Sequence, residues 1–281
     1  MISYGIVMHP KEIDCGYLTY AQGEQYLQCA YLLALSLKLH CKINHFTVVV
    51  DLETSKTITG IMHKVFDNVM VIDHMPPFQN ECLTWELTPY KETFKVESDM
   101  LITSNIDHWW NACRMRDICF TTNVRDYKGI VADDTKYRQL WADNNLLNVY
   151  NGFMYVRHCK ASMEFFKTAS SVFDKYSTYR DKILKNCRHD KPDTDVVFSI
   201  TAELLGKENF YMPTLDYPTF THMKQHINKW NTPDWRDACS WALTDDNIFI
   251  VNGYAQTVPF HYYIKEFCTQ ELIERYEQRV F

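Results

Sequence analysis

The run Phe46-Thr47-Val48-Val49-Val50-Asp51 is apolar at almost every position. A strand with one wet face alternates apolar and polar residues. A continuous apolar run instead has both faces covered, as in parallel sheets flanked by helices. The surrounding sequence agrees. Ile2 to Met8 reads as a further buried strand. Tyr26 to Leu39 reads as a helix, with Leu27, Ala30, Tyr31, Ala34 and Leu37 along one face. Thr54 to Lys64 is expected to be helical, Asn68 to Asp73 a strand, and the segment leading into Glu97-Ser98-Asp99 a fourth strand. This β-α-β-α-β order predicts an α/β fold with a mostly parallel sheet flanked by helices.

The second half is more mixed. Asp117–Thr121 and Val149–Val156 read as strands, residues 122–146 as polar loop, and Ser162–Tyr176 as a helix presenting Met163, Phe166, Ser170 and Phe173. Residues 177–192 are highly charged and expected to be exposed. Asp195–Leu205 and Ile264–Val280 read as helices, separated by a stretch containing Pro213, Pro218 and Pro233. No Gly/Ser-rich linker divides the chain. One domain over 1–281 is therefore expected, with two subregions, 1–122 and 123–281.

Composition narrows the function. A formal charge of −6 gives no general basic footprint for nucleic acid. The ten cysteines form no Cys-x-x-Cys pair, which argues against structural zinc and for a reducing compartment. With no signal-peptide pattern and no run long enough to span a bilayer, a soluble cytoplasmic protein is expected. Gly-x-x-x-x-Gly-Lys, Gly-x-Gly-x-x-Gly and Gly-x-Ser-x-Gly are all missing, so phosphate handling would fall to metal and side chains.

Ligands of open α/β sheets bind beyond the carboxyl ends of the strands, where Asp51, Asp73, Glu97 and Asp99 all lie. In an extended chain Glu97 and Asp99 face the same way. Two hard carboxylates suit Mg2+ or Mn2+ shared with substrate phosphates, although an acidic turn uses the same residues.

Four segments in order carry a resemblance. They are Trp85-Glu86-Leu87-Thr88-x-Tyr90 followed by Glu97-x-Asp99; Tyr150-Asn151-Gly152-Phe153; Asp193-Thr194-Asp195; and Phe220-Thr221-His222-Met223-Lys224 with Trp230. Together they resemble retaining glycosyltransferases of the glycogenin/galactosyltransferase type, over roughly residues 1–230. The first acid is Glu97 where that family has Asp, Thr194 stands for its Gln, and Glu81 lies where it has a basic residue.

The resemblance implies a GT-A-like fold and a glycosyltransferase moving a hexosyl or pentosyl unit from a UDP-sugar to an acceptor hydroxyl with retention. The hydroxyl would attack on the face that the diphosphate leaves. It implies Mn2+ (or Mg2+) held by Asp99, Glu97 and His222. Asp193 and Asp195 would contact the donor sugar, one of them also capping a helix. Asn151 would hydrogen-bond the sugar or serve as a turn residue. Asp51, Arg125 and Lys224 are candidates for donor binding, with a solvated role open for Arg125. Trp109 and Trp110 read as core before acceptor platform. The acceptor stays open between glycan, protein, small molecule and a hydroxymethylated DNA base of phage type. The DNA reading would need a basic strip from Arg114, Arg116, Arg125, Lys128, Lys136 and Arg138. A nucleotidyltransferase or a non-catalytic nucleotide-sugar binder would use the same sheet and acids.

Overall fold

The computed structural model describes residues 11, 13–73, 78–187 and 189–281. The strand expected at Ile2–Met8 lies outside the described residues. Among the described residues twelve strands run in chain order: β1 (Ile13–Ala21), β2 (Phe46–Asp51), β3 (Asn68–Ile72), β4 (Tyr90–Val96), β5 (Met100–Leu101), β6 (Ile118–Thr121), β7 (Tyr150–Arg157), β8 (Thr221–His222), β9 (Trp241–Leu243), β10 (Phe249–Val251), β11 (Tyr254–Ala255) and β12 (Phe260–His261).

The main sheet has six strands in the order β3-β2-β1-β4-β7-β6. β3, β2, β1 and β4 are mutually parallel, while β7 is antiparallel to both β4 and β6. This is the mostly parallel α/β sheet that the apolar runs predict. The chain runs outward from β1 to β3 and then returns to β4 on the other side of β1. The topological switch point, where ligands of such sheets bind, thus lies between the carboxyl ends of β1 and β4.

Helix Glu24–His40 covers one face, burying Leu27, Tyr31, Leu33 and Leu37 among others, and packs against the C-terminal helix Gln270–Val280. Helices Lys160–Asp174 and Thr194–Leu205 cover the other, meeting Phe120, Met154 and Val156 of the sheet.

Four expectations are corrected. The sequence pattern gave no strand at Ile13–Ala21, yet this is a central strand. Gly16 interrupts its apolar run because the Tyr90 ring lies over it: a Cβ there would stand 2.3 Å from that ring. Thr54–Lys64 is not one helix but a turn at Leu52–Ser55 and a 3-10 turn at Met62–Lys64. Thr57-Ile58-Thr59-Gly60 between them is β-branched and ends on glycine. The helix at Lys160–Asp174 buries Phe165, Phe166, Ala169 and Val172, a face rotated from the one read from sequence. The last helix begins only at Gln270, where the Thr269 hydroxyl caps Leu272 N; a 3-10 turn at Lys265–Phe267 precedes it.

Candidate active site

A second, three-stranded sheet, β5-β12-β8, builds the site. β12 pairs antiparallel with β5, setting His261 opposite Met100, and parallel with β8, setting His261 beside His222. Asp99 immediately precedes β5, and its carbonyl accepts from Tyr262 N at 3.2 Å. The result is a cluster of Glu97, Asp99 and His261 whose potential ligand atoms all lie within 4.8 Å of one another. His261 Nε2 stands 3.1 Å from Asp99 Oδ2 and 3.3 Å from Glu97 Oε2, and Lys265 Nζ stands 2.9 Å from Asp99 Oδ2. Glu97 and Asp99 sit in a turn after β4, so convergence on His261 aligns them where strand alternation was expected to do so.

The sequence expectation of His222 as third ligand therefore meets a different arrangement: the imidazole in the cluster is His261. His222 stacks on it, with centroids 4.6 Å apart and planes 12° from parallel. Both histidines are buried. Burial first, and then the charges of His261, Lys224 and Arg138, hold His222 well below the usual imidazole range, as a neutral ring. Burial works to raise the Asp99 carboxyl, but His261 and Lys265 together prevail and hold it below the usual carboxylate range. Loss of hydration pushes Glu97 upward, opposed by His261 and Lys95.

Two cavities flank the cluster. One, of about 490 Å3, opens at the switch point between Tyr20, Gln22 and Tyr26 on one side and Glu97, Asp99 and Lys265 on the other. The second, of about 480 Å3, contains Asn151, Asp193, Asp195 and Arg138. Phe78, Glu81, Glu97 and Lys224 line both.

Of the residues expected at the site, Glu97, Asp99, Asn151, Asp193, Asp195 and Lys224 line one or both of these cavities. Asp193 caps helix Thr194–Leu205 by accepting from Val196 N at 2.9 Å. Burial, then the neighbouring Asp195 charge, raises its carboxyl above the ordinary range. Asp195 accepts from Asn151 N and from Arg138 Nη1, both at 2.9 Å. Lys224 donates to Tyr137 Oη at 3.1 Å.

Two expected donor-binding residues stand elsewhere. Asp51 caps the turn at Leu52–Ser55 through Thr54 N at 2.7 Å and lines neither cavity. Arg125 pairs with Asp216 at 2.9 Å and donates to Gly129 O; only its backbone serves the site, accepting from His222 N at 2.9 Å. Trp109 and Trp110 are core residues. Three of the six basic residues considered for DNA are engaged within the protein. Arg114 is paired with Glu92, Arg125 with Asp216, and Arg138 is buried against Asp195.

Three cations near the site, Lys265, Lys95 and Arg138, were given no role there from the sequence. Lys265 lies just beyond β12. Lys95 is 1% exposed on the floor between the cavities. Arg138 is sandwiched between Trp141 and Tyr150, its guanidinium carbon 3.7 and 4.0 Å from their ring centroids. An i-to-Glu97 parity argument applied to β4 finds Lys95 on the same side as Glu97, but nothing local marks Arg138 as buried.

No protein-family model matches the chain. A stretch of 110 aligned residues is 26% identical to mouse glycogenin-1, covering 34% of this chain and 33% of that protein. Human glycogenin-1 matches at 24% identity, with 34% and 31% covered. Over this stretch the chain resembles glycogenin. It spans about a third of the length of these curated relatives. Among solved structures, mouse xyloside xylosyltransferase 1 aligns over 89% of this chain and 97% of its own, at 11% identity and a TM-score of 0.49. The glycosyltransferase GlyE of Streptococcus pneumoniae aligns over 96% and 61%, at 9% identity and 0.47. Among the described residues no helix is long and apolar enough to cross a membrane, and all ten cysteines are free thiols.

Proposed function

We propose that this chain is a metal-dependent glycosyltransferase, taking a UDP-sugar or related donor at the switch point and passing the sugar to an acceptor hydroxyl with retention. The observation that carries the reading is the cluster of Glu97, Asp99 and His261 at the wall between two cavities.

The donor set fits a hard divalent cation. Two carboxylates and one imidazole suit Mn2+, and Mg2+ less well because of the nitrogen. When bound, the metal would neutralise charge building on the departing diphosphate. The chain's own residues supply the rest. Lys265 and Lys224 lie 5.7 and 5.3 Å from the Tyr263 ring centroid, which leaves two ammonium groups beside the acidic cluster to pair with phosphate oxygens. Tyr20 and Tyr26 offer apolar surface for a base. Asp195 is oriented by Arg138 and by Asn151 N, so its remaining lone pairs can receive sugar hydroxyls. Closely held carboxylates of this kind favour a polyhydroxylated ligand over an apolar one.

Calorimetric titration with UDP and Mn2+ tests the site. Metal-dependent binding that is lost in Asp99→Ala is expected. Binding unchanged by that substitution, or none in the wild type, overturns the assignment. Slow donor hydrolysis releasing UDP, and not pyrophosphate, separates transfer of sugar from transfer of a nucleotidyl group.

A further inference from the structure

Lys95 is a fully buried ammonium on β4, and its counter-charge is Glu81, with Nζ 2.6 Å from Oε1. The same Nζ donates to Asn151 O at 3.0 Å, and the Asn151 side-chain amide donates to Glu81 Oε2. These three residues form a closed ring of contacts. Glu81 lines both cavities, and Asn151 Oδ1, on a residue 3% exposed, has no partner among the described residues. A buried lysine without its carboxylate is strongly disfavoured, so the pair holds the Glu81 carboxyl group in one position.

We infer that Glu81 is a specificity-determining residue that accepts a hydrogen bond from a hydroxyl of the transferred sugar, with Lys95 as its positioning residue. This rests on the glycosyltransferase reading and extends it to the donor's chemical class: a neutral sugar carrying a free hydroxyl at the contacted carbon. A sugar bearing a carboxylate would face Glu81, Glu97, Asp193 and Asp195 together and be repelled. A deoxy sugar would leave Glu81 without a donor, and sites built around a hydroxyl reject analogues that lack it.

The test is Mn2+-dependent hydrolysis of UDP-glucose, UDP-galactose and their deoxy analogues, with UDP binding measured in parallel. For the hexose that wild type hydrolyses, one deoxy analogue is expected to lose about 100-fold in kcat/KM. In Glu81→Gln/Lys95→Met, which removes both charges together and spares the fold an unpaired one, that ratio should fall to within about threefold while UDP binding persists. Glu81→Asp keeps the charge but withdraws the carboxylate, and should relax the same ratio. Undiminished discrimination in both variants, with UDP binding intact, overturns the role of Glu81 alone. No UDP binding by wild type overturns the glycosyltransferase reading and this inference with it.

Discussion

His222 and His261 stack face to face, and only His261 reaches the carboxylates of Glu97 and Asp99. His261→Ala should therefore weaken Mn2+ binding more than His222→Ala. The latter removes a wall that orients the ligand ring, and such outer contacts are worth about 10- to 100-fold in metal affinity. Calorimetry with Mn2+ in the presence of UDP ranks the two. The reverse order would make His222 the ligand and His261 its support.

Lys265 stands against the same Asp99 oxygen that faces His261. Lys265→Met removes a positive charge beside the proposed cation site and also a proposed partner for phosphate. Mn2+ alone is expected to bind several-fold tighter and UDP several-fold weaker, a split visible when the two are titrated separately. Weakening of both together would assign Lys265 a structural role.

Gly152 lies against the site: a Cβ there would meet Met100 Cε at 2.7 Å and Glu97 Oε2 at 3.2 Å. Gly152→Ala should cost about 1–3 kcal/mol of stability and move Glu97, whose backbone N donates to Gly152 O at 2.8 Å. Thermal unfolding and Mn2+ titration measure the two effects. A stable variant with unchanged metal affinity would show that Glu97 is dispensable.

Arg138→Ala strips Asp195 of a buried partner and empties the slot between Trp141 and Tyr150. Breaking a buried pair costs about 3–5 kcal/mol. Arg138→Lys keeps the charge but loses the planar stack and should recover only part of the loss in chemical denaturation.

Glu86 gives a pH-dependent prediction away from the site. Burial pushes its carboxyl above the ordinary range, only partly offset by its own backbone, Lys167 and Lys11. Its charged form is thus penalised in the folded chain. The penalty is full above the folded value and disappears as pH falls below the unfolded one, near 4.3. Glu86→Gln should raise Tm at about pH 7, with the gain fading toward about pH 4. An equal gain at both pH values would point to something other than charge.

The legible parts of the fold were those with a local signature. β2 announced itself by an unbroken apolar run, and helix Glu24–His40 by its spacing. β1 did not, because Gly16 answers to Tyr90, a residue on a different strand. The site divides the same way. Asp99, Asp193 and Asp195 belong to short motifs, whereas His261 acquires meaning only when β12 pairs with β5 and β8. Arg138 was hidden for a similar reason: its contact with Asp195, far away in sequence, leaves no trace in spacing. Glu81 was marked only as an acid where the resembling family has a base, and its pairing with Lys95 shows only in the fold.

The small sheet β5-β12-β8 has a temporal consequence. The acids emerge from the ribosome early, but their imidazole and Lys265 come late, held in place by a strand of two residues, Phe260–His261. A nascent chain can lay down the switch-point cleft long before it can complete the acidic cluster. Completion of the cluster thus waits until synthesis passes β12, and a chain cut before Phe260 would lose His261 and Lys265 together with helix Gln270–Val280, which packs against helix Glu24–His40.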